Sequence, residues 1–134
     1  MDITMEPIGY IRSEYTDRKA LPKQSVLNTH KRAVIEILPK FLEGIEGIKE
    51  GNYGVVLFNF HKSTEAPLRI CPHGKDEMTG VFSTRSPNRP NGIGLSIVKF
   101  TKIEGHKLEF EGVDMLDGTP VLDIKPYSSD LNPK

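Results

Sequence analysis

The chain has 134 residues with 18 acidic and 18 basic side chains, a length that fits one domain with a single hydrophobic core. Zero net charge excludes binding to nucleic acid by bulk charge alone, so such a partner would require a local basic patch. A single cysteine, Cys71, excludes an internal disulfide and argues against a secreted, disulfide-held scaffold. The N-terminal MDITMEPIGY lacks the basic residues of a signal peptide, and no apolar run is long enough to span a membrane. We therefore expect a cytoplasmic protein.

The first half of the chain predicts two strands separated by a long loop. The alternation in MEPIGYIRSEY predicts a strand from Glu6 to Tyr15, and RAVIEIL is a second β-branched run that ends before Pro39. Between them, DRKALPKQSVLNTHK has no regular periodicity and predicts an exposed loop. From Pro39 onward, apolar residues spaced three and four apart in PKFLEGIEGIKEG predict a short helical segment.

The second half of the chain predicts a sheet. GVVLFNF is the most apolar stretch and predicts a central strand that ends just before His61. After a second long loop, GVFST predicts a short strand, and GIGLSIVKFTKIEG with KLEFEGVDML predicts a hairpin that turns at Gly105. DGTP predicts another turn before a last strand, VLDIKPY. These elements indicate a mainly β fold, a small single-domain β-barrel over residues 1–134, with a core from about 5 to 127 and a polar tail over 128–134.

Charge is segregated along the chain. The stretch from Asp17 to Arg32 carries five basic residues against one acid, whereas the stretch from Ile103 to Asp123 carries six acids against Lys107. Blocks of like charge are more often solvated faces than binding surfaces. The basic stretch is nevertheless the candidate for a local patch that attracts nucleic acid.

The residue pattern argues against several kinds of site. The sequence has neither the Gly-x-Gly-x-x-Gly of a dinucleotide site nor a phosphate-binding loop of the Walker type. Cys71 and His73, with His61 ten residues before Cys71, do not have a usual zinc spacing. Cys71 and His73 also lack an orienting third group for nucleophilic catalysis. We expect no metal site.

The segment TRSPNRPNGIG, residues 84–94, is polar within an otherwise apolar region. It is compatible with a stiff turn whose arginines are merely solvated. It is equally compatible with a site, because a rigid loop can hold Arg85 and Arg89 for bidentate contacts with carboxylate or phosphate. Asn91, Gly92 and Gly94 would also let the backbone approach a ligand closely.

Taken together, these segments resemble the TsaA-like, or YaeB-like, family of S-adenosylmethionine-dependent methyltransferases that modify N6 of adenosine 37 in tRNA. The resemblance runs in order through IGYIRSEY, LPKQ, VVLFNFHK, GVFSTRSPNRPNGIGLS and LDGTPVLDIKPY, over nearly the whole chain. It implies a small β-barrel that works as a homodimer on tRNA, with the cofactor pocket beside the subunit interface.

The resemblance also implies which residues contact the cofactor, S-adenosyl-L-methionine. Matched motif by motif, the contacts fall on Pro22, Lys23, Gln24, His61, Lys62, Arg85, Leu95, Asp117, Gly118, Thr119 and Pro120. Three positions depart from the family's pattern. Lys23 replaces an arginine, Lys62 replaces a glutamine, and Gly92 replaces the proline of many members, which predicts a looser loop.

The implied reaction requires a proton acceptor. Because the adenine N6 lone pair is delocalised into the ring, a hydrogen-bond acceptor must draw on the N6 proton as the new bond forms. Asp117 is the only acid inside a matching motif and is the candidate catalytic residue, although it also suits a cofactor contact. Arg89 and Asn91 are assigned to the substrate side or to the partner subunit.

Other ligands and other functions stay open at this point. Guanidinium groups at Arg85 and Arg89 suit the cofactor carboxylate, an RNA phosphate or the carboxylate of a threonylcarbamoyl group on the adenosine. The alternative functions are a non-enzymatic barrel that binds S-adenosylmethionine or RNA, and a methyltransferase with another substrate.

Overall fold

The computed structural model describes residues 1–13, 32–72, 74–112 and 115–128. Within them, six antiparallel strands close into a barrel in the order β1-β2-β7-β6-β3-β8, and two short strands, β4 and β5, pair outside it. The strands are β1 (Gly9–Arg12), β2 (Arg32–Ile37), β3 (Tyr53–Asn59), β4 (Arg69–Ile70), β5 (Thr79–Gly80), β6 (Ile93–Glu104), β7 (Lys107–Glu111) and β8 (Pro120–Pro126). The predicted mainly β fold is therefore confirmed.

The helical segments of the described residues are all short 3₁₀ turns. The segment predicted after Pro39 is confirmed as helical, but it is a 3₁₀ helix, Pro39–Ile45, with proline at its first position. Two more such turns cover Val81–Ser83 and Pro90–Gly92. In the described ranges, no helix has the length and apolar character needed to cross a membrane.

The strand predicted over GVFST is wrong. Only its first residue, Gly80, belongs to a strand, and Val81–Ser83 turn instead. The Thr84 hydroxyl and the Thr84 amide both donate to the carbonyl oxygen of Val81, at 2.8 and 3.0 Å. These local hydrogen bonds close a turn in place of a strand ladder.

Two other predicted boundaries also differ, and one predicted loop contains a strand. β1 begins at Gly9, later than predicted, and residues 14 and 15 of the predicted strand lie outside the described residues. β7 ends at Glu111, where the next residue, Gly112, has a φ of +93°. The short strand β4 falls in what was predicted to be a loop.

The barrel interior is built by alternation, most regularly in β6. Along β6, residues 94, 96, 98 and 100 are buried and residues 93, 95, 97 and 99 are exposed, as expected for a strand with one face toward a core. The buried apolar cluster comprises Ile11, Ala33, Ile35, Ile37, Val56, Phe58, Val98, Phe100, Leu108, Phe110, Met115, Leu116 and Val121. All six barrel strands contribute to this cluster, so closing the barrel and burying the apolar side chains depend on the same strands.

The register brings several chain segments to one end of the barrel. Asn59 at the end of β3 lies opposite Ile93 at the start of β6, and Phe58 lies opposite Val121 near the start of β8. Tyr10 of β1 lies opposite Pro120. We call this end the loop rim: it carries the loop 60–63 after β3, the loop 84–92 before β6 and the turn 117–120 at the start of β8.

Replacing Gly94 with alanine should destabilise the protein, because the rings of Phe58 and Phe60 occupy the space beside it. A Cβ on Gly94 would lie 2.5 Å from Cζ of Phe58 and 2.7 Å from Cζ of Phe60. Overpacking of this kind costs roughly 1–3 kcal/mol in the free energy of unfolding, which urea denaturation followed by circular dichroism would measure. Gly44→Ala is the matched control, since nothing lies within 4 Å of a Cβ there. Equal stability of the two variants would contradict the prediction.

Candidate functional site

The loop rim places His61 beside the turn 117–120. The Nε2 atom of His61 lies 3.9 Å from the position that a Cβ on Gly118 would occupy, and the imidazole interacts with the backbone carbonyls of Asn59 and Asp117. Partial burial, and then the positive charge of Lys62, lower the pKa of His61, while the carbonyls and Asp117 oppose that shift. A lowered pKa keeps His61 uncharged at neutral pH, where its ring nitrogens can donate one hydrogen bond and accept another.

Asp117 fastens its turn to the end of β1. The backbone N–H of Ser13 donates to Oδ1 of Asp117 at 3.0 Å. The pKa of Arg12 is raised, mainly because its guanidinium donates a hydrogen bond to Glu36 at 2.7 Å. The negative charge of Asp117 contributes to the same shift. The Asp117 carboxylate is thus held by backbone, with its Oδ2 making no hydrogen bond among the described residues.

The rest of the turn is held by backbone hydrogen bonds. Gly118 donates its N–H to the carbonyl of Ile11 at 2.7 Å, and Ile11 donates to Thr119 at 2.9 Å. Thr119 is buried, and its hydroxyl donates to the carbonyl of Leu116 at 2.6 Å. The Thr119 side chain therefore faces the protein, while Asp117 and Gly118 are partly exposed.

The loop 84–92 is organised by side chains that bond to its own backbone. Arg89 donates from Nη1 to the carbonyls of Thr84, at 2.7 Å, and Ser86, at 3.3 Å. The Ser86 hydroxyl accepts from the N–H of Asn88, and the Thr84 hydroxyl accepts from the N–H of Ser86. Arg85 is exposed and has no hydrogen-bond or ion-pair partner among the described residues. The two arginines of TRSPNRPNGIG are therefore used differently.

Two contacts join this loop to the loop that carries His61. The Ser63 hydroxyl donates to Oδ1 of Asn88 at 2.6 Å, and the Phe60 N–H donates to the Gly92 carbonyl at 2.8 Å. Neither Ser63 nor Asn88 was predicted as a site residue. The sequence carries no signal for their pairing, because it depends on how β3 and β6 are registered.

Some predicted cofactor residues lie elsewhere or outside the described residues. Leu95 is on the outer face of β6, opposite Leu57, and 45% of its surface is exposed. Pro22, Lys23 and Gln24 lie outside the described residues, as does His73. Residues 129–134 of the predicted polar tail also lie outside them.

A small pocket of about 290 Å³ lies beside Asp117. Its lining residues are Arg12, Ser13, Arg32, Ala33, Val34, Glu109 and Asp117. Ser13 and Arg32 are the two described residues that flank the stretch 14–31, which contains Pro22, Lys23 and Gln24. The described residues on either side of that stretch therefore both lie beside Asp117 of the loop rim.

A larger pocket of about 640 Å³ lies at the opposite end of the barrel, between the 3₁₀ helix Pro39–Ile45 and strands β3 and β8. Its lining includes Phe41, Ile48, Phe100 and Tyr127, and none of the described site residues predicted from the sequence. In the part of the chain that the structure describes, no three His, Cys, Asp or Glu side chains are grouped to hold a metal ion. The candidate site is therefore the loop rim.

Residues 10–132 match a family model described as the tRNA-methyltransferase O N-terminal domain. A tRNA (adenine(37)-N6)-methyltransferase of Mus musculus is 41% identical over 138 residues, which cover 98% of this chain and 32% of that protein. A probable S-adenosyl-L-methionine-binding protein of Methanothermobacter thermautotrophicus is 38% identical over 132 residues, which cover 98% of this chain and 95% of that protein.

A solved structure of a related protein is similar to this chain over its whole length. The crystal structure of TrmO from Pseudomonas aeruginosa superimposes with a TM-score of 0.85 at 40% identity, over 100% of this chain and 60% of that one. The chain thus spans about three fifths of the length of that relative and one third of the mouse enzyme, but nearly all of the archaeal protein.

Proposed function

The chain belongs to the tRNA-methyltransferase O N-terminal domain family, and on this premise we propose that it methylates N6 of adenosine 37 in tRNA with S-adenosyl-L-methionine. The family resemblance predicted from the sequence motifs is confirmed by the matching family model and relatives. The observation that carries the proposed function is the meeting, at the loop rim, of the His61 loop, the Arg85 loop and the turn 117–120. These are the described segments whose motifs resemble the cofactor-binding segments of the family.

The loop rim suits the chemistry of the cofactor. S-adenosylmethionine, when bound, supplies an electrophilic methyl group on a positively charged sulfonium. Arg85, exposed and without a partner among the described residues, would hold the cofactor carboxylate. An uncharged His61 would contact the cofactor without repelling the sulfonium, and its lowered pKa supports that state.

The remaining cofactor contacts follow from the same alignment of motifs. We propose that Gly118 and Pro120 offer backbone next to His61, and that Lys62, Leu95 and Thr119 border the cofactor. Thr119 would act through its backbone, because its hydroxyl already donates to Leu116. Pro22, Lys23 and Gln24 would complete the site from the stretch between Ser13 and Arg32.

Asp117 is the proposed hydrogen-bond acceptor for the N6 proton. Its Oδ1 atom is held by the Ser13 N–H, so that the carboxylate has a fixed orientation while Oδ2 is not used by the described residues. A carboxylate held in this way needs no reorganisation to accept a hydrogen bond. Asn91 would lie on the substrate side, and the basic stretch from Arg18 to Arg32 would attract the RNA backbone.

A tRNA substrate accords with the cytoplasmic location expected from the sequence.

We also propose that the protein works as a homodimer. The outer face of β6 carries three apolar side chains in a row, Ile93, Leu95 and Ile97, which are 40%, 45% and 46% exposed. We call this row the β6 stripe. A second copy of the chain packed on the β6 stripe would cover it and would bring the interface beside Leu95.

Isothermal titration calorimetry should detect binding of S-adenosylmethionine, and Arg85→Ala should weaken it roughly ten- to hundredfold through the loss of charge-assisted hydrogen bonds. Arg69→Ala is the matched control, because Arg69 is another exposed arginine on β4 outside the proposed site. Absence of binding by the wild-type protein, or equal binding by Arg85→Ala, would contradict the cofactor assignment.

Asp117→Asn should lower the rate of methyl transfer to tRNA by roughly two orders of magnitude, since a neutral amide is a poor proton acceptor. Asparagine retains an oxygen for the Ser13 N–H, so folding and cofactor binding should persist. The assay transfers labelled methyl groups to tRNA from a strain without this gene, with and without threonylcarbamoylation, and maps the label by nuclease digestion and mass spectrometry.

The methyl-transfer assay also separates the alternative functions. Label on N6 of adenosine 37 supports the proposed function, and label on another nucleoside would establish a different substrate. Cofactor binding without any transfer would indicate a non-enzymatic binding protein. An Asp117→Asn variant with wild-type rates would exclude Asp117 as the acceptor.

Ile97→Lys should convert the dimer to a monomer, because it places a charge in the β6 stripe. Sedimentation equilibrium of the wild type and the variant would measure the mass of each. Leu68→Lys is the matched control, since Leu68 is also an exposed apolar residue, 66% exposed, but lies outside the β6 stripe. A monomeric wild type, or a dimeric Ile97→Lys variant, would count against this interface.

A further inference from the structure

Arg89 and Arg85 lie four residues apart in the same loop but have opposite environments. Arg89 is partly buried and bonded to the loop backbone, whereas Arg85 is exposed and has no partner among the described residues. We propose that Arg89 is a positioning residue for Arg85, acting on the cofactor through Arg85 rather than by contact with cofactor or RNA. This inference rests on the proposed function, since it takes Arg85 to be a cofactor ligand.

The argument begins with where the Arg89 guanidinium donates. Nη1 of Arg89 lies 2.7 Å from the carbonyl oxygen of Thr84 and 3.3 Å from that of Ser86. One carbonyl belongs to the residue before Arg85 and the other to the residue after it. A single guanidinium nitrogen therefore bonds to the Thr84–Arg85 peptide and to the Ser86–Pro87 peptide, which bracket Arg85 and Ser86. These two bonds restrict the direction in which the Arg85 side chain leaves the backbone.

The loop's backbone favours this arrangement. Arg89 is extended, with φ −153° and ψ 159°, immediately before Pro90, as a residue that precedes proline prefers. Ser86 likewise precedes Pro87. Pro87 and Pro90 restrict the backbone of Ser86 and Arg89, the residues that precede them. Part of the entropic cost of ordering the loop is therefore met before any ligand binds.

The consequence for Arg85 is preorganisation. An exposed arginine loses side-chain freedom when it binds a carboxylate, and a mobile backbone would add to that loss. With Arg89 in place, less of the backbone around Arg85 remains to be ordered. The positive charge of Arg89 also strengthens its bonds to the two carbonyl oxygens, which neutral donors would bind less firmly.

A double-mutant cycle distinguishes positioning from direct contact. The dissociation constant for S-adenosylmethionine is measured by calorimetry for wild type, Arg85→Ala, Arg89→Met and the double variant. Methionine keeps an apolar stem but has no donor for the carbonyls. Arg89→Met should weaken binding roughly tenfold, about the effect of losing the two hydrogen bonds, and should add no further loss when Arg85 is already alanine.

Arg89→Lys and Arg69→Ala serve as controls, with thermal unfolding followed by circular dichroism to establish that each variant folds. Lysine keeps a charged donor, so it should recover part of the lost affinity, whereas Arg69→Ala should bind as wild type does. If Arg89→Met lacks a cooperative transition, the cycle is run with Arg89→Lys, whose smaller loss should likewise vanish beside Arg85→Ala.

The outcomes separate this inference from the proposed function. Full affinity in Arg89→Met beside weakened affinity in Arg85→Ala would overturn the inference and leave the cofactor assignment intact. Additive losses in the double variant would also overturn it, because Arg89 would then contact the ligand itself. Absence of binding by the wild type would overturn both. A loss at Arg89 that disappears in the Arg85→Ala background would support the inference.

Discussion

Closure of the barrel by β8 is the interaction on which the candidate site depends. Val121 of β8 lies opposite Gly9 of β1 on one side and Phe58 of β3 on the other. The turn 117–120 is thereby lodged between the ends of two strands that are far apart in sequence. The hydrogen bonds of Ile11 with Gly118 and Thr119 extend this closure to the loop rim. An open sheet, in which β8 did not pair with both β1 and β3, would not bring these segments together.

The loop rim is stiffened by a different kind of interaction from the barrel. The interior is apolar and closed by strand pairing, whereas the loop 84–92 has few buried apolar groups and is held by hydroxyl and guanidinium groups that bond to nearby backbone. Such contacts are local in sequence, and they order a loop without enlarging the core. The site is thus separable from the fold: the barrel determines where the loops meet, and the loops determine their own shape.

How much could be predicted from the sequence follows from this separation. The alternation in β6 and the β-branched run of β2 predicted strands correctly, because the residues that a strand buries can be recognised within its own sequence. The strand predicted over GVFST was wrong because its two apolar side chains, Val81 and Phe82, are too few to show a period, while the Thr84 hydroxyl bonds to the Val81 carbonyl and closes a turn. The contacts Ser63–Asn88 and Ser13–Asp117 span 25 and 104 residues. They depend on register and closure, which no local pattern encodes.

The backbone just before β6 limits which residues can stand at position 92. Asn91 and Gly92 both have positive φ, +66° and +52°, whereas the ring of proline, which the resemblance of the sequence motifs implies for many family members at position 92, fixes φ at about −65°. Proline also disfavours helical conformations at the residue before it, so Asn91 would have to change with it. Glycine and proline at position 92 therefore specify two alternative paths of the chain, and exchanging one for the other would change the backbone of Asn91 as well as that of residue 92.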